Sequence, residues 1–77
     1  MVCEGILEVM PEGWGFLRRA VGERDDRDAY VSLPQIRHFG LNVGDVIRGE
    51  VRPPRHHEGE RYFGLVKIES INGQESG

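Results

Sequence analysis

The stretch Gly13–Arg18 constrains the fold of this chain more than any other, because large and small residues alternate along it. In a β-strand, successive side chains point to opposite faces. One face would then carry the large groups Trp14, Phe16 and Arg18, while the other would carry two glycines and Leu17. The alternation therefore predicts one strand of a tightly curved sheet, with its glycine face packed on the core.

The aromatic face of this strand has two interpretations. Large aromatic side chains in strands are most often part of a core. Rings exposed beside an arginine instead suit nucleic acids, because bases stack on rings at roughly 1–3 kcal/mol each and phosphates pair with guanidinium groups. In Asp28–Ser32, the small residues Ala29 and Val31 alternate with Tyr30, which falls on the polar side. This second outward aromatic strengthens the binding interpretation, although the residues alone leave both open.

Length and composition indicate one small domain. A chain of 77 residues buries only about 60% of its unfolded surface, so its stability is expected to be modest. The sequence has no apolar run of roughly 18 residues that would span a bilayer and no secretory leader. Its single cysteine, Cys3, excludes an internal disulfide and fits a reducing compartment. We therefore expect a cytoplasmic protein that does not contact a membrane.

The net charge of −3 limits how this chain could bind nucleic acid. Proteins that bind mainly through phosphates are usually basic, because counterion release needs a basic surface. A nucleic acid would here be held by base stacking and by contacts to base edges over a short site. Such binding predicts that affinity depends only weakly on salt concentration.

Short runs of alternating residues, separated by Gly, Pro and charged residues, predict five strands. The runs are Val2–Val9, Gly13–Arg19, Asp28–Ser32, Asp45–Arg52 and Tyr62–Ile71. The charge-rich residues 20–27 are expected to form a solvated loop. The alternation slips in the last run, which predicts a bulge around Gly64.

Between the third and fourth strands, Leu33–Gly40 is typical of a short helix. Ser32 would cap it, Pro34 would lie in its first turn, and a glycine would end it. Ile36 and Phe39 are three residues apart and are expected to face the core together. Five strands with this helix predict an all-β fold, a five-stranded Greek-key barrel of the OB type.

Two groupings of reactive side chains do not make a catalytic or metal site. His56 and His57 are neighbours whose side chains point apart, and no third ligand has a suitable spacing. Asp28 and Glu60 could be drawn as a pair of catalytic carboxylates, but no nucleophile or metal site accompanies them. The phosphate-binding pattern Gly-x-x-x-x-Gly-Lys-Ser/Thr is absent from the sequence. We predict no metal, no cofactor and no enzymatic activity for this chain.

A set of motifs in a fixed order resembles the RNA-binding domain of the bacterial transcription termination factor Rho. The motifs are Gly13–Arg18, Asp28–Ser32, Gln35–Arg37, Arg52–Pro54 and Glu58–Phe63. The first motif alone is also similar to cold-shock domains, and the last two separate the Rho family from them. The resemblance extends from about Gly5 to Ile71.

The resemblance implies a cold-shock-like OB domain, which we expect over residues 1–72. Residues 73–77 have nothing to bury and are expected to form a disordered tail. The resemblance also implies a primary site for single-stranded RNA that prefers cytosine, with single-stranded DNA as a further candidate ligand. The RNA-binding residues expected from the family pattern are Trp14, Phe16, Arg18, Asp28, Tyr30, Glu60 and Tyr62. In that pattern Trp14 and Phe16 form the platform, Tyr30 stacks on one base, and the other four surround a neighbouring pyrimidine. A carboxylate there can accept a hydrogen bond from the cytosine amino group.

The chain departs from the family pattern in several places. Trp14 stands where the family usually has Phe, the loop Arg55–His57 is longer, and the acidic loop at residues 25–26 is shorter. The family's ATPase phosphate loop and its preceding helical segment are both absent. We therefore expect an excised domain or a free-standing relative, monomeric by default. A Rho ATPase domain or an RNA polymerase complex would be its candidate protein partner.

Other functions stay open at this point. A cold-shock-type RNA chaperone would bind RNA without a strong base preference, which competition between cytosine and adenine oligomers would reveal. A protein-interaction module that regulates a Rho hexamer or polymerase would use the acidic surface instead of the aromatic face. An enzyme is the least supported function, because the sequence lacks the groups named above.

Overall fold

The computed structural model describes residues 1–18 and 28–75. The predicted loop over residues 20–27 and the predicted end of the second strand at Arg19 lie outside the described residues. In chain order, the elements are strands β1 (Val2–Val9), β2 (Gly15–Arg18) and β3 (Ala29–Val31), helix α1 (Leu33–Phe39), strand β4 (Val46–Arg52), a 3₁₀ turn (His56–Glu58), and strands β5 (Phe63–Ile71) and β6 (Gln74–Glu75). The predicted strands and helix are confirmed, with small differences at their ends.

Strands β1 to β5 form a closed barrel. The strand order is β3-β2-β1-β4-β5-β6, and consecutive neighbours in it are antiparallel. Strand β3 also pairs in parallel with β5, with Ala29 opposite Phe63 and Tyr30 opposite Gly64, which closes the barrel. With α1 between β3 and β4, this is the OB architecture predicted from the sequence.

The barrel is narrow because glycines allow its strands to approach closely. Gly15 and Gly49 are both buried. A Cβ atom at Gly15 would collide with the carbonyl oxygen of Glu8, and one at Gly49 would collide with that of Lys67. These contacts confirm that the glycine face of β2 belongs to a tightly curved sheet, since any larger residue would push the backbones apart.

The core is built mainly from aliphatic side chains contributed by β1 to β5 and the loop after α1. Its buried members are Cys3, Leu7, Leu17, Ala29, Val31, Leu41, Ile47, Val51, Leu65 and Ile68. Leu17 is only 2% exposed, whereas its neighbours Phe16 and Arg18 lie on the outward, partly exposed face of β2. The rings of the aromatic strand are therefore displayed outside the barrel.

Helix α1 begins and ends as the sequence predicts. Ser32 and Gln35 form a capping box, in which the backbone N–H of Gln35 donates to the Ser32 hydroxyl and the N–H of Ser32 donates to Gln35 Oε1. The Gln35 amide also donates to the carbonyl oxygen of Leu65 at 2.8 Å, which fastens the helix to β5. Gly40 ends the helix in the left-handed conformation. Within the described residues, no helix is long and apolar enough to cross a membrane.

The prediction that Ile36 and Phe39 face the core together is wrong for Phe39. Ile36 packs against the core, but Phe39 is 40% exposed. The left-handed turn at Gly40 directs Leu41 into the core instead, and the Leu41 N–H donates to the carbonyl oxygen of Ile36 at 2.9 Å. This is the Schellman ending of a helix, in which the residue after the glycine makes the apolar contact.

The bulge predicted around Gly64 lies elsewhere in β5. Gly64 pairs regularly with Arg52, and the register against β4 shifts where Val66 and Glu69 are inserted. Both inserted residues are exposed, so Leu65 and Ile68 can point into the core although they are three residues apart. The barrel's curvature decides which residues are extruded, and the apolar pattern does not specify it.

Of the predicted disordered tail over residues 73–77, the structure describes residues 73–75, which form a turn and strand β6, while residues 76–77 lie outside the described residues. Asn72 and Gly73 have positive φ angles of 52° and 81°, as a two-residue hairpin turn requires. Gln74 and Glu75 then pair with the end of β5 as β6. The Asn72 side chain also accepts a hydrogen bond from the backbone N–H of Val46 at 2.9 Å. An Asn-Gly turn thus ties residues 72–75 to the barrel.

Leu17→Ala is expected to lower the free energy of unfolding by roughly 2–5 kcal/mol, because it removes buried methyl groups and leaves a cavity. Val43→Ala is the control, since Val43 is 70% exposed and its loss should change stability by less than about 0.5 kcal/mol. Urea unfolding followed by circular dichroism measures both. Equal midpoints for the two variants would contradict the assignment of Leu17 to the core.

Candidate nucleic-acid interface

Four aromatic rings form a continuous chain on the outside of the barrel. The ring centroids of Trp14 and Tyr30 are 5.8 Å apart, and those of Trp14 and Phe16 are 5.0 Å apart in an edge-to-face arrangement. Phe16 and Tyr62 are also 5.0 Å apart. These four residues are named the aromatic face below. Each ring is held in place by contact with its neighbours, in geometries that aromatic pairs favour.

Strand register and one tight turn create the aromatic face. Phe16 on β2 lies opposite Tyr30 on β3, so their side chains project from the same side of the sheet. Trp14 precedes β2, where its carbonyl oxygen accepts the Met10 N–H at 2.7 Å. Gly13 has a φ of 102°, which allows the chain to turn there. The turn thus places the Trp14 ring in contact with the ring of Phe16 on β2.

The outer rings of the aromatic face are open to a ligand. Tyr30 is 41% exposed and Tyr62 is 48% exposed, while Trp14 and Phe16 are half-buried between them. The core is already filled by other side chains. Of the two interpretations of the aromatic strand, the core is therefore wrong, and the rings form an external surface.

A cavity of about 250 Å³ lies beside the aromatic face and is lined by both of its outer rings. The residues that line it are Tyr30, Arg52, Glu60, Arg61, Tyr62 and Gly64. Gly64 leaves room there, because an added Cβ would meet its nearest neighbours, atoms of the Arg52 side chain, at 3.8 Å. The cavity thus combines two rings with two arginines and one carboxylate.

Glu60 is the carboxylate of this cavity, and its hydrogen bonds keep it ionised. Arg52 donates from Nη1 to Glu60 Oε1 at 2.8 Å and from Nη2 to Oε2 at 3.1 Å. The backbone N–H of Arg55 donates to Oε1 at 2.9 Å. The hydrogen bonds from Arg52, and then that from Arg55, lower the pKa of Glu60 to about 2. The carboxylate is therefore a hydrogen-bond acceptor at neutral pH.

Arg18 and Asp28 lie on the same side of the barrel but do not line the cavity. Arg18 shares the outward face of β2, where its Nε forms an ion pair with the carboxylate of Glu8 on β1. Asp28 is half-buried and directly precedes β3. Arg18 follows Leu17 and Asp28 precedes Ala29, so both lie beyond the Leu17–Ala29 pair at the end of the antiparallel β2–β3 ladder. Of the seven predicted site residues, the structure thus places five at the aromatic face and cavity, and two at the end of this ladder.

Arg52 and Arg61 line the cavity but are not among the predicted site residues. Arg52 belongs to the motif Arg52–Pro54 at the end of a strand, and this motif is the sequence feature that could have identified it as a site residue. Its partner Glu60 is eight residues away, beyond a 3₁₀ turn. Sequence spacing does not determine that contact, so sequence reasoning missed it.

The His56–Glu58 turn beside the cavity does not bring metal ligands together. His57 lies 3.9 Å from Glu58 and is 80% exposed. In the part of the chain that the structure describes, no three His, Cys, Asp or Glu side chains are grouped so that they could hold a metal ion. The turn is instead held by backbone hydrogen bonds from Glu58 and Glu60 to the carbonyl oxygen of Arg55.

Comparison with known proteins gives a consistent match over nearly the whole chain. The family described as the Rho termination factor RNA-binding domain matches residues 3–76. The transcription termination factor Rho of Thermotoga maritima is 52% identical over 71 residues, covering 90% of this chain and 16% of that protein. Rho of Chromobacterium violaceum is 51% identical over 73 residues, covering 92% of this chain and 17% of that protein. The chain thus spans about one sixth of the length of these relatives.

Glu60→Gln is expected to reduce the loss of stability in acid. The pKa of Glu60 is about 2 in the folded protein against an ordinary 4.5. Its hydrogen bonds therefore stabilise the fold fully above pH 4.5, and this contribution disappears as the pH falls through 2. The side chain is 33% exposed, so solvent screening keeps the effect small.

Urea unfolding of the wild type and of Glu60→Gln, followed across this pH window, measures the effect. The difference in stability between them should shrink as the pH falls. A difference that stays constant would show that Glu60 does not titrate with folding.

Proposed function

Because the chain belongs to the family of Rho termination factor RNA-binding domains, we propose that it binds single-stranded RNA on its aromatic face and prefers cytosine. Binding requires no cofactor or catalytic step, so the chain acts as a recognition module. The observation that carries the proposal is the continuity of the four rings with a charged cavity. Flat bases would stack on the rings, and one base edge would enter the cavity.

The exposure of the outer rings supports stacking as the main source of affinity. Tyr30 and Tyr62 are each about half exposed, and each contacts another ring that fixes its position. A ring that is already immobilised loses little conformational freedom when a base stacks on it. Stacking of a base on an aromatic side chain contributes roughly 1–3 kcal/mol.

The charges around the rings support base recognition over phosphate binding. Arg18 is paired with Glu8, Arg52 with Glu60 and Arg48 with Glu69. These pairs neutralise the charges of the three arginines, and the net charge of the whole chain is −3. Affinity would then come from the bases of a short segment, with a weak dependence on salt.

The ionised Glu60 supports the preference for cytosine. Cytosine presents an amino group at the position where uracil presents a carbonyl oxygen. A carboxylate accepts a hydrogen bond from the former and repels the latter. Arg18 and Asp28, at the end of the β2–β3 ladder, are proposed to contact the same pyrimidine or its neighbour.

Within a longer protein, this domain would supply the primary RNA site. We propose that it acts beside an ATPase domain of the Rho type, or as a free-standing relative that binds the same transcripts. Single-stranded DNA would bind the same surface more weakly if contacts to the 2′-hydroxyl contribute. As an isolated chain, the domain is proposed to be a monomer.

An NMR titration of the isolated chain with a short oligocytidine, and then with oligoadenosine at the same salt concentration, tests the proposal. Cytidine should shift the resonances of the aromatic face, while adenosine should shift them less. Equal shifts with both would favour an RNA chaperone without base preference. Shifts with neither would exclude RNA binding at this surface.

Tyr30→Ala is expected to weaken oligocytidine binding by roughly 1–3 kcal/mol, because it removes one stacking ring. Stability should change little, since Tyr30 is 41% exposed. Phe39→Ala is a matched control, because Phe39 is 40% exposed and lies on α1, away from the aromatic face. Fluorescence anisotropy measures the affinities and thermal unfolding measures stability. Equal affinities for the two variants would remove Tyr30 from the site.

Glu60→Gln is expected to lower the ratio of cytosine to uracil affinity roughly tenfold, because the amide can also donate to a carbonyl oxygen. Glu69→Gln provides the control, since Glu69 also pairs with an arginine of β4 but does not line the cavity. Competition between oligocytidine and oligouridine measures the ratio. If the ratio is unchanged in Glu60→Gln, this carboxylate does not recognise the base.

A further inference from the structure

We infer that Arg52 is a positioning residue for base selection, which fixes the Glu60 carboxylate so that one acceptor site remains for the base. The inference rests on the proposed function and assigns a role to a residue outside the predicted site. It begins from the two-point contact between the guanidinium and the carboxylate, at 2.8 and 3.1 Å. A planar fork that binds both oxygens sets the plane as well as the place of a carboxylate.

The Glu60 carboxylate accepts fewer hydrogen bonds than its two oxygens can accept. A carboxylate has about four acceptor sites on its two oxygens. Among the residues that the structure describes, Oε1 accepts from Arg52 and from the backbone N–H of Arg55, and Oε2 accepts from Arg52 alone. One site on Oε2 is left over. A cytosine amino group could use this site without displacing any contact within the protein.

Arg52 also connects the Glu60 loop to the barrel. Arg52 is the last residue of β4 and pairs with Gly64 on β5, at the cavity. Glu60 lies beyond the 3₁₀ turn, and its other hydrogen bonds go to Arg55 of the same loop. Without the guanidinium, the carboxylate would be held only by its own loop. Arg52 on the strand therefore fixes the position of the Glu60 carboxylate relative to the barrel.

A second arginine on β4 provides a control that separates the positioning of Glu60 from a general effect of replacing an arginine on this strand. Arg48 is also on β4, and its Nε lies 3.7 Å from a single oxygen of Glu69. Both of those side chains are more than 40% exposed, and neither lines the cavity. Arg48→Lys therefore changes the same residue type on the same strand without touching the base-selecting group.

The experiment compares wild type, Arg52→Lys and Arg48→Lys for binding to short oligocytidine and oligouridine at one salt concentration. Lysine keeps the charge but cannot bind both carboxylate oxygens in a plane. Arg52→Lys should lower the cytosine to uracil affinity ratio roughly tenfold, mainly through weaker cytidine binding. Arg48→Lys should leave the ratio unchanged. The double variant Arg52→Lys/Glu60→Gln should lose no more selectivity than Glu60→Gln alone.

A titration of the Glu60 carboxyl carbon by NMR adds a readout that loss of packing would not produce. In wild type the pKa of Glu60 should be about 2, and in Arg52→Lys it should move towards the ordinary value. Oligocytidine should shift this resonance in wild type and oligouridine should not. If Arg52→Lys does not fold, the wild-type titration decides: an ordinary pKa, or no shift with oligocytidine, overturns the inference.

The outcomes distinguish the inference from the function it rests on. Wild type that prefers cytidine, with the same preference in folded Arg52→Lys, overturns the role of Arg52 and leaves the proposed function standing. Wild type that binds neither oligonucleotide, or binds both equally, overturns cytosine selection and the inference together. Equal loss of selectivity in Arg48→Lys would also overturn it, because the effect would then not depend on contact with the Glu60 carboxylate.

Discussion

The parallel pairing of β3 with β5 is the contact on which the rest of the site depends. It joins Tyr30 to Gly64, and so brings the ring of an early strand beside the loop that carries Glu60 and Tyr62. The same two strands lie at opposite ends of the β3-β2-β1-β4-β5 order. Closing the barrel therefore closes the cavity as well. The glycines that let the strands approach are as necessary to the site as the rings.

In the proposed binding mode, the aromatic rings and the Arg52–Glu60 ion pair make different contributions to recognition. The rings offer a flat apolar surface that accepts any base, since every base has a π-face. In the proposed binding mode, the Arg52–Glu60 pair would supply a fixed acceptor that distinguishes one base edge from another. An acidic protein can bind RNA in this way, because neither contribution needs a large excess of positive charge. The net charge of −3 is therefore compatible with the proposed site.

Sequence reasoning succeeded where local patterns carry the information. The alternation around Phe16 predicted an outward ring above a buried Leu17, and the capping residues of α1 predicted both helix ends. It failed for Phe39, because the Schellman turn sends Leu41 inward instead. It also failed for the bulges of β5, since Val66 and Glu69 are extruded where curvature requires it. Both failures concern which residues face the core, and this depends on tertiary packing.

The sequence by itself determined which residues could lie on an outward aromatic face, because side-chain alternation in a strand depends only on neighbouring residues. It also determined the helix between β3 and β4, through its caps. The tertiary structure alone decided that Tyr62 meets Phe16 and that Arg52 binds Glu60. Those contacts join different strands and loops, whose separation in space depends on how the barrel closes. The proposed base selection would belong to this second group, because it would depend on where the Glu60 carboxylate is held.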